Sequence, residues 1–135
     1  MTSVFETLSE PQDLVSRLVR AEACEPSLSL FMPTLRRATE ARQNRTRFRN
    51  LVRDAGEIMA FRRVEKETAN TLLHRLESIA EDEALWSHPA EGLAVFASPS
   101  AGYIAKWPIA FGETVFVDRR FHILPLLEQA EGDDT

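Results

Sequence analysis

Six arginines are the residues of this 135-residue chain whose type and spacing could do chemistry: Arg36 and Arg37, then Arg42, Arg45, Arg49 and Arg53. A guanidinium stays charged throughout the physiological range. Its planar fork of N–H donors matches two phosphate oxygens at once and can stack on a base. The chemistry on offer is recognition of an anion, above all a polyanion such as an RNA backbone, rather than bond making. Seven of the sixteen Lys+Arg residues lie between Arg36 and Arg53, all seven are arginine, and Glu40 is the one acid among them. The whole chain carries a formal charge of −5, so this stretch inverts the local sign. Across the sequence arginine outnumbers lysine fourteen to two. A plainer reading is a solvated helix face with pairs such as Arg53 and Glu57 at i, i+4, each worth only ~0.3–0.5 kcal/mol. Residue types alone leave both readings open. Aromatic interleaving is thin, with only Phe31 and Phe48 nearby, so a stacking platform for single strands is not evident.

Other chemistry is mostly missing. His74, His88 and His122 are scattered, and none stands four residues from another histidine or beside a cysteine pair, so no metal site is indicated. The chain has no GxSxG, Walker loop or GxGxxG, and its five glycines argue further against a phosphate-cradling loop. Carboxylates are abundant, but no spacing nominates an acid–base pair. Cys24 is the single cysteine and reads as a small apolar residue rather than a nucleophile. The expectation is a protein that is not an enzyme, with no catalytic residue, no metal and no cofactor.

The elements that must position the arginines follow from hydropathy. Leu28–Met32 reads as a strand ended by Pro33. A basic connector then leads into a helix over about 40–61. There Phe48, Leu51, Val52, Ala55, Ile58 and Met59 fall within an arc of roughly 120° at about 100° per residue. Arg42, Arg45, Arg49 and Arg53 fall within roughly 80° on one flank of that arc, with Arg47 on the other. The apolar arc must face the core, so the arginine flank is expected to be exposed, with Arg36 and Arg37 close by.

Before this stretch, Ser9, Pro11 and Gln12 mark a helix start, and Leu14, Val15, Leu18 and Val19 recur at helical spacing over about 10–23. After it, a helix over about 64–81 turns Ala69, Leu72, Leu73, Leu76 and Ile79 inward and His74 outward. Glu81-Asp82-Glu83 reads as a solvated acidic corner, with capping of a short turn at Glu83–Trp86 as the alternative. Strands are expected at 92–97, 103–107 and 114–118, joined by short loops as an antiparallel meander. Trp86 should anchor its turn on the core, and Trp107 should lie on the sheet. Leu124–Gln129 reads as a last helical turn and 130–135 as a disordered tail. The fold class is α/β (α+β): one domain over 1–135, with a small mixed or antiparallel sheet, a C-terminal three-strand meander and packed helices.

The length suits one domain, and 44% apolar residues suffice for a core. One cysteine cannot form an internal disulfide and fits a reducing cytoplasm. The first residues lack the basic and apolar blocks of a signal peptide, and no apolar run approaches the ~20 residues that span a bilayer. The expected location is cytoplasmic, without membrane contact. The net negative charge argues against a protein that coats nucleic acid generally, though it leaves room for one basic edge. Oligomeric state is not legible.

Several segments together resemble a known family. Ser29-Leu30-Phe31-Met32-Pro33-Thr34, Arg42-Gln43-Asn44 and Arg47-Phe48-Arg49-Asn50-Leu51 are similar to the opening domain of the bacterial relatives of archaeo-eukaryotic peptide-chain release factors, in particular family 3. Trp86-Ser87-His88, Glu91-Gly92-Leu93-Ala94-Val95-Phe96, Asp118-Arg119-Arg120-Phe121-His122 and Pro125-Leu126-Leu127 continue the resemblance, which covers about residues 10–127. Asn44-Arg45 stands where that family has Asp-Pro. The middle and C-terminal domains of those relatives have no counterpart here, nor do the GGQ of peptidyl-tRNA hydrolysis and the NIKS of stop-codon reading. The resemblance implies a non-catalytic, translation-linked domain that docks on the ribosome, on RNA or on a ribosome-bound partner. The rival reading is a protein-interaction or oligomerisation module without RNA contact.

Overall fold

Ser27 to Met32 are all buried. An amphipathic strand would alternate, so a continuous buried run requires a sheet covered on both faces. A computed structural model describes residues 5–7, 16, 18, 26–35, 37, 40–87, 90–99, 101–108, 110–118 and 121, and it shows this arrangement. Five strands, β1 (Glu6–Thr7), β2 (Ser27–Pro33), β3 (Gly92–Ala97), β4 (Gly102–Trp107) and β5 (Thr114–Asp118), form one mixed sheet in the order β1-β4-β3-β2-β5. Three described helices, α1 (Ala41–Phe61), α2 (Lys66–Ala80) and α3 (Glu83–Ser87), complete the mixed α/β fold.

The period of two sorts the sheet's side chains onto separate cores. Leu28, Leu30, Met32, Leu93, Val95, Ile104 and Val117 join the helices in the larger core. Phe31, Ala94, Phe96, Ala105 and Trp107 meet Leu18, Phe111 and Phe121 in the other. Phe31 organises this second core, with Phe96, Phe111 and Phe116 at centroid distances of 5.6, 5.4 and 6.3 Å. Ser16 and Leu18 are helical, as expected for 10–23. The rest of that segment, Cys24, the helical turn at Leu124–Gln129 and the tail at 130–135 lie outside the described residues.

The expected C-terminal meander is corrected in one respect. β3 and β4 do form an antiparallel hairpin, with Gly92 opposite Trp107 and Ala97 opposite Gly102. β5, however, does not pair with β4. It pairs with β2, Leu30 opposite Val115, while β4 gives its other edge to a parallel β1. Strands β2 to β5 thus take the spatial order of a Greek key, β5 returning to lie beside β2. Crossing from β4 to β5 spans three strand spacings, about 14 Å. The six residues between Trp107 and Thr114 can reach about 20 Å. Phe111 buries in the second core on the way, which rewards the crossing.

α1 lays its apolar arc on the sheet. Phe48, Ala55 and Met59 are wholly buried, Leu51 and Val52 nearly so, and Ile58 is half-buried against the same core. The helix ends where Arg63 takes a left-handed φ of 59°. Val64 N–H donates to the Met59 carbonyl at 2.9 Å and Arg63 N–H to Ala60 at 3.1 Å, the paired bonds of a Schellman turn. That turn sends the chain back along α1 as α2. Asp82 then caps α3, its Oδ1 accepting from the N–H of Ala84 at 3.1 Å. The capping alternative for the acidic corner therefore holds for Asp82, while Glu81 and Glu83 remain exposed. Trp86 is buried against Phe48, centroids 5.4 Å apart, and its Nε1–H donates to the Ile79 carbonyl at 3.0 Å. Trp107 is equally buried, but its N–H has no partner among the described residues.

Candidate anion-binding edge and adjoining groove

The connector between β2 and α1 carries the first arginines, and two buried polar residues hold it. Thr34 Oγ1 donates to the Ala90 carbonyl at 2.6 Å, and Thr34 N–H donates to the Glu91 carbonyl at 2.9 Å. Asn44 accepts from Leu35 N–H through Oδ1 and donates to the Leu35 carbonyl through Nδ2, both at 2.7 Å. A buried amide satisfied at both ends fixes where the connector sits relative to the helix. Sequence reasoning missed this role. The signal was a short polar residue inside the first helical turns, a type that competes for backbone partners.

The six candidate arginines do not form one uniform patch. Arg37 is exposed at the end of the connector, its carbonyl accepting from Glu40 N–H at 2.9 Å. Arg42 is exposed in the first turn of α1. Arg36 lies outside the described residues. Arg45 departs from the expected exposure: it is half-buried, and its Nε is enclosed without a hydrogen-bond partner. Arg49 and Arg53 are exposed, and Arg53 donates to the Asn50 side chain at 3.3 Å rather than pairing with Glu57. Arg47, on the opposite flank, is consumed by the fold. Its Nε lies 3.3 Å from a Glu113 carboxylate oxygen, and its Nη1 donates to the Pro33 carbonyl at 3.5 Å.

The division arises because α2 packs beside the arginine flank. Gly56 of α1 faces Leu73 of α2 closely enough that a Cβ at residue 56 would stand 3.5 Å from the leucine methyl. Between the two helices runs an open groove of about 710 Å³. Its floor is Val52, Gly56, Ala60, Leu73 and Ala80. Arg49 and Arg53 line the α1 wall together with Glu57, and Glu77 and Glu81 line the α2 wall. Three carboxylates thus accompany two guanidiniums. Among the described residues, no ion pair joins the walls. The edge formed by Arg37, Arg42 and Arg45 has a different character. α1 has no acidic residue in its first turn, and its N-cap, Glu40, makes no side-chain cap. Arginines here add to the positive end of the helix dipole, an arrangement that favours an anion.

Among the described residues no group of three or more His, Cys, Asp or Glu could hold a metal ion. No described helix is long and apolar enough to cross a membrane. No protein-family model matches the chain, and no curated protein matches it.

Proposed function

We propose that this is a non-catalytic, translation-linked domain that docks on RNA of the ribosome through the arginine edge at the start of α1. The observation that carries the reading is the position of Arg42. It is exposed in the first turn of a 21-residue helix, with no acid in that turn and no ion pair to another described residue. Arg37 is exposed on the preceding connector, and Arg45, half-buried, follows one turn later. A phosphate backbone would meet forked donors and the dipole's positive end together. The resemblance to the opening domain of the bacterial release-factor relatives supplies the translation context, and a cytoplasmic location accompanies it. Arg36 belongs to the same proposal by its place in the chain. Arg49 and Arg53 contribute less, because Glu57, Glu77 and Glu81 beside them repel phosphate.

Binding to ribosomes or ribosomal RNA as a function of salt tests this. Arg37→Gln with Arg42→Gln is expected to weaken binding and flatten the salt dependence by about one unit of slope per lost phosphate contact. Arg49→Gln with Arg53→Gln is expected to change it less. The fold should survive both, since exposed substitutions usually cost within ~0.5 kcal/mol. Binding unchanged at every salt concentration by Arg37→Gln with Arg42→Gln would leave these arginines as solvation. The oligomerisation reading draws its support elsewhere, from the groove between α1 and α2.

A further inference from the structure

We infer that the α1–α2 groove is closed by the same face of a second copy of the chain, so that two helical hairpins form an antiparallel four-helix bundle. The inference does not depend on RNA binding at Arg37 and Arg42. It starts from like charges at i, i+4 along each helix: Arg49 and Arg53 on α1, and Glu77 of α2 with Glu81 at its C-cap. Each spacing is unfavourable on an isolated helix. Neither stripe is neutralised within the chain by an ion pair to another described residue.

Geometry makes the two stripes self-complementary. The hairpin is antiparallel, and Gly56 lies beside Leu73. At equal rise per residue, Arg53 then lies within one residue, about 1.5 Å, of the level of Glu77, and Arg49 within the same distance of the level of Glu81. A two-fold axis parallel to the helices places α1 of one protomer over α2 of its partner at the same level. Arg53 then meets the partner's Glu77, and Arg49 meets the partner's Glu81. The symmetry repeats both pairs, giving a closed, isologous contact. The groove floor suits it, since glycine and alanine at 56, 60 and 80 let facing helices approach while Val52 and Leu73 supply apolar area. RNA does not fit here, with more carboxylates than guanidiniums lining the walls. Leu18 packs on the opposite face of the sheet, away from the groove.

The size of the face sets the expected affinity. The fifteen residues of α2 make a rod about 22 Å long, and two helices side by side are about 20 Å wide. This face is small for a specific interface, so the dimer is expected in the micromolar range.

Sedimentation equilibrium of the full chain, from about 1 μM to about 1 mM, tests the inference. The unmodified chain should pass from monomer to dimer. Arg49→Glu with Arg53→Glu places acids against acids and should weaken dimerisation at least about tenfold, as should Glu77→Arg with Glu81→Arg. Mixing these two variants should restore a dimer containing one of each. All four substitutions in one chain should restore the homodimer, and this last variant decides the matter if either double variant fails to fold. An unmodified chain that remains monomeric throughout would overturn the inference. So would double variants that dimerise as tightly as the parent, or a folded fourfold variant that stays monomeric.

Discussion

Asn44 and Leu35 exchange two hydrogen bonds of 2.7 Å, the asparagine Oδ1 taking the leucine N–H and its Nδ2 giving to the leucine carbonyl. Asn44 is 1% exposed. One side chain therefore satisfies both backbone groups of a connector residue that belongs to no sheet or helix. It ties the end of β2 to the first turns of α1, and so fixes where Arg37 and Arg42 stand.

Asn44→Ala leaves a partly buried N–H and C=O without those partners. Losing them is expected to cost about 2–4 kcal/mol, from about 1–3 kcal/mol for each stranded group with some relief from water. Urea unfolding with the midpoint read against the parent measures it. Asn44→Asp keeps the acceptor for the Leu35 N–H but sets a buried carboxylate oxygen against the Leu35 carbonyl, so it should be no more stable than the alanine variant at neutral pH. Equal stability of the alanine variant and the parent would show that the clamp does not hold the connector.

Two apolar residues on α1 should differ in how much they matter. Leu51 faces the larger core at 6% exposure, whereas Phe61 on the last turn is 88% exposed. Leu51→Ala removes buried methyl groups and leaves a cavity, with an expected loss of about 2–5 kcal/mol. Phe61→Ser removes a larger side chain from water and should change stability within about 0.5 kcal/mol. Thermal or urea unfolding distinguishes them. A Leu51→Ala loss below about 1 kcal/mol would mean that α1 presents a different face to the sheet.

Arg63 holds the left-handed conformation that ends α1, at φ 59°. For an L-residue with a Cβ that conformation costs roughly 1–2 kcal/mol. Glycine adopts it freely but loses more entropy on folding. Arg63→Gly is therefore expected to stabilise the chain by up to about 1 kcal/mol, seen as a raised denaturation midpoint. Arg63→Ala keeps the Cβ and should bring no such gain. A glycine variant less stable than the parent would show that the arginine side chain stabilises the turn by more than its backbone strain costs.

What the sequence determined by itself was local. Six apolar positions spaced along residues 48–59 define one arc whatever they pack on, so α1 and its buried face were legible from periodicity. The strand at 28–32, the helix over 64–81 and the hairpin between 92–97 and 103–107 followed in the same way, because hydropathy period and turn residues act over a few neighbours. The arginine flank was legible as an angle on a helix. Its surroundings were not. α2 decided that Arg49 and Arg53 share a groove with Glu77 and Glu81, and the sheet order decided that Thr114–Asp118 lies beside β2 instead of β4. Both depend on which surfaces meet after the chain has folded back on itself. Pairing of that kind is set by the burial of Phe111 and Phe31 in one core and of Leu73 against Gly56, between residues whose separation along the chain leaves no periodic trace.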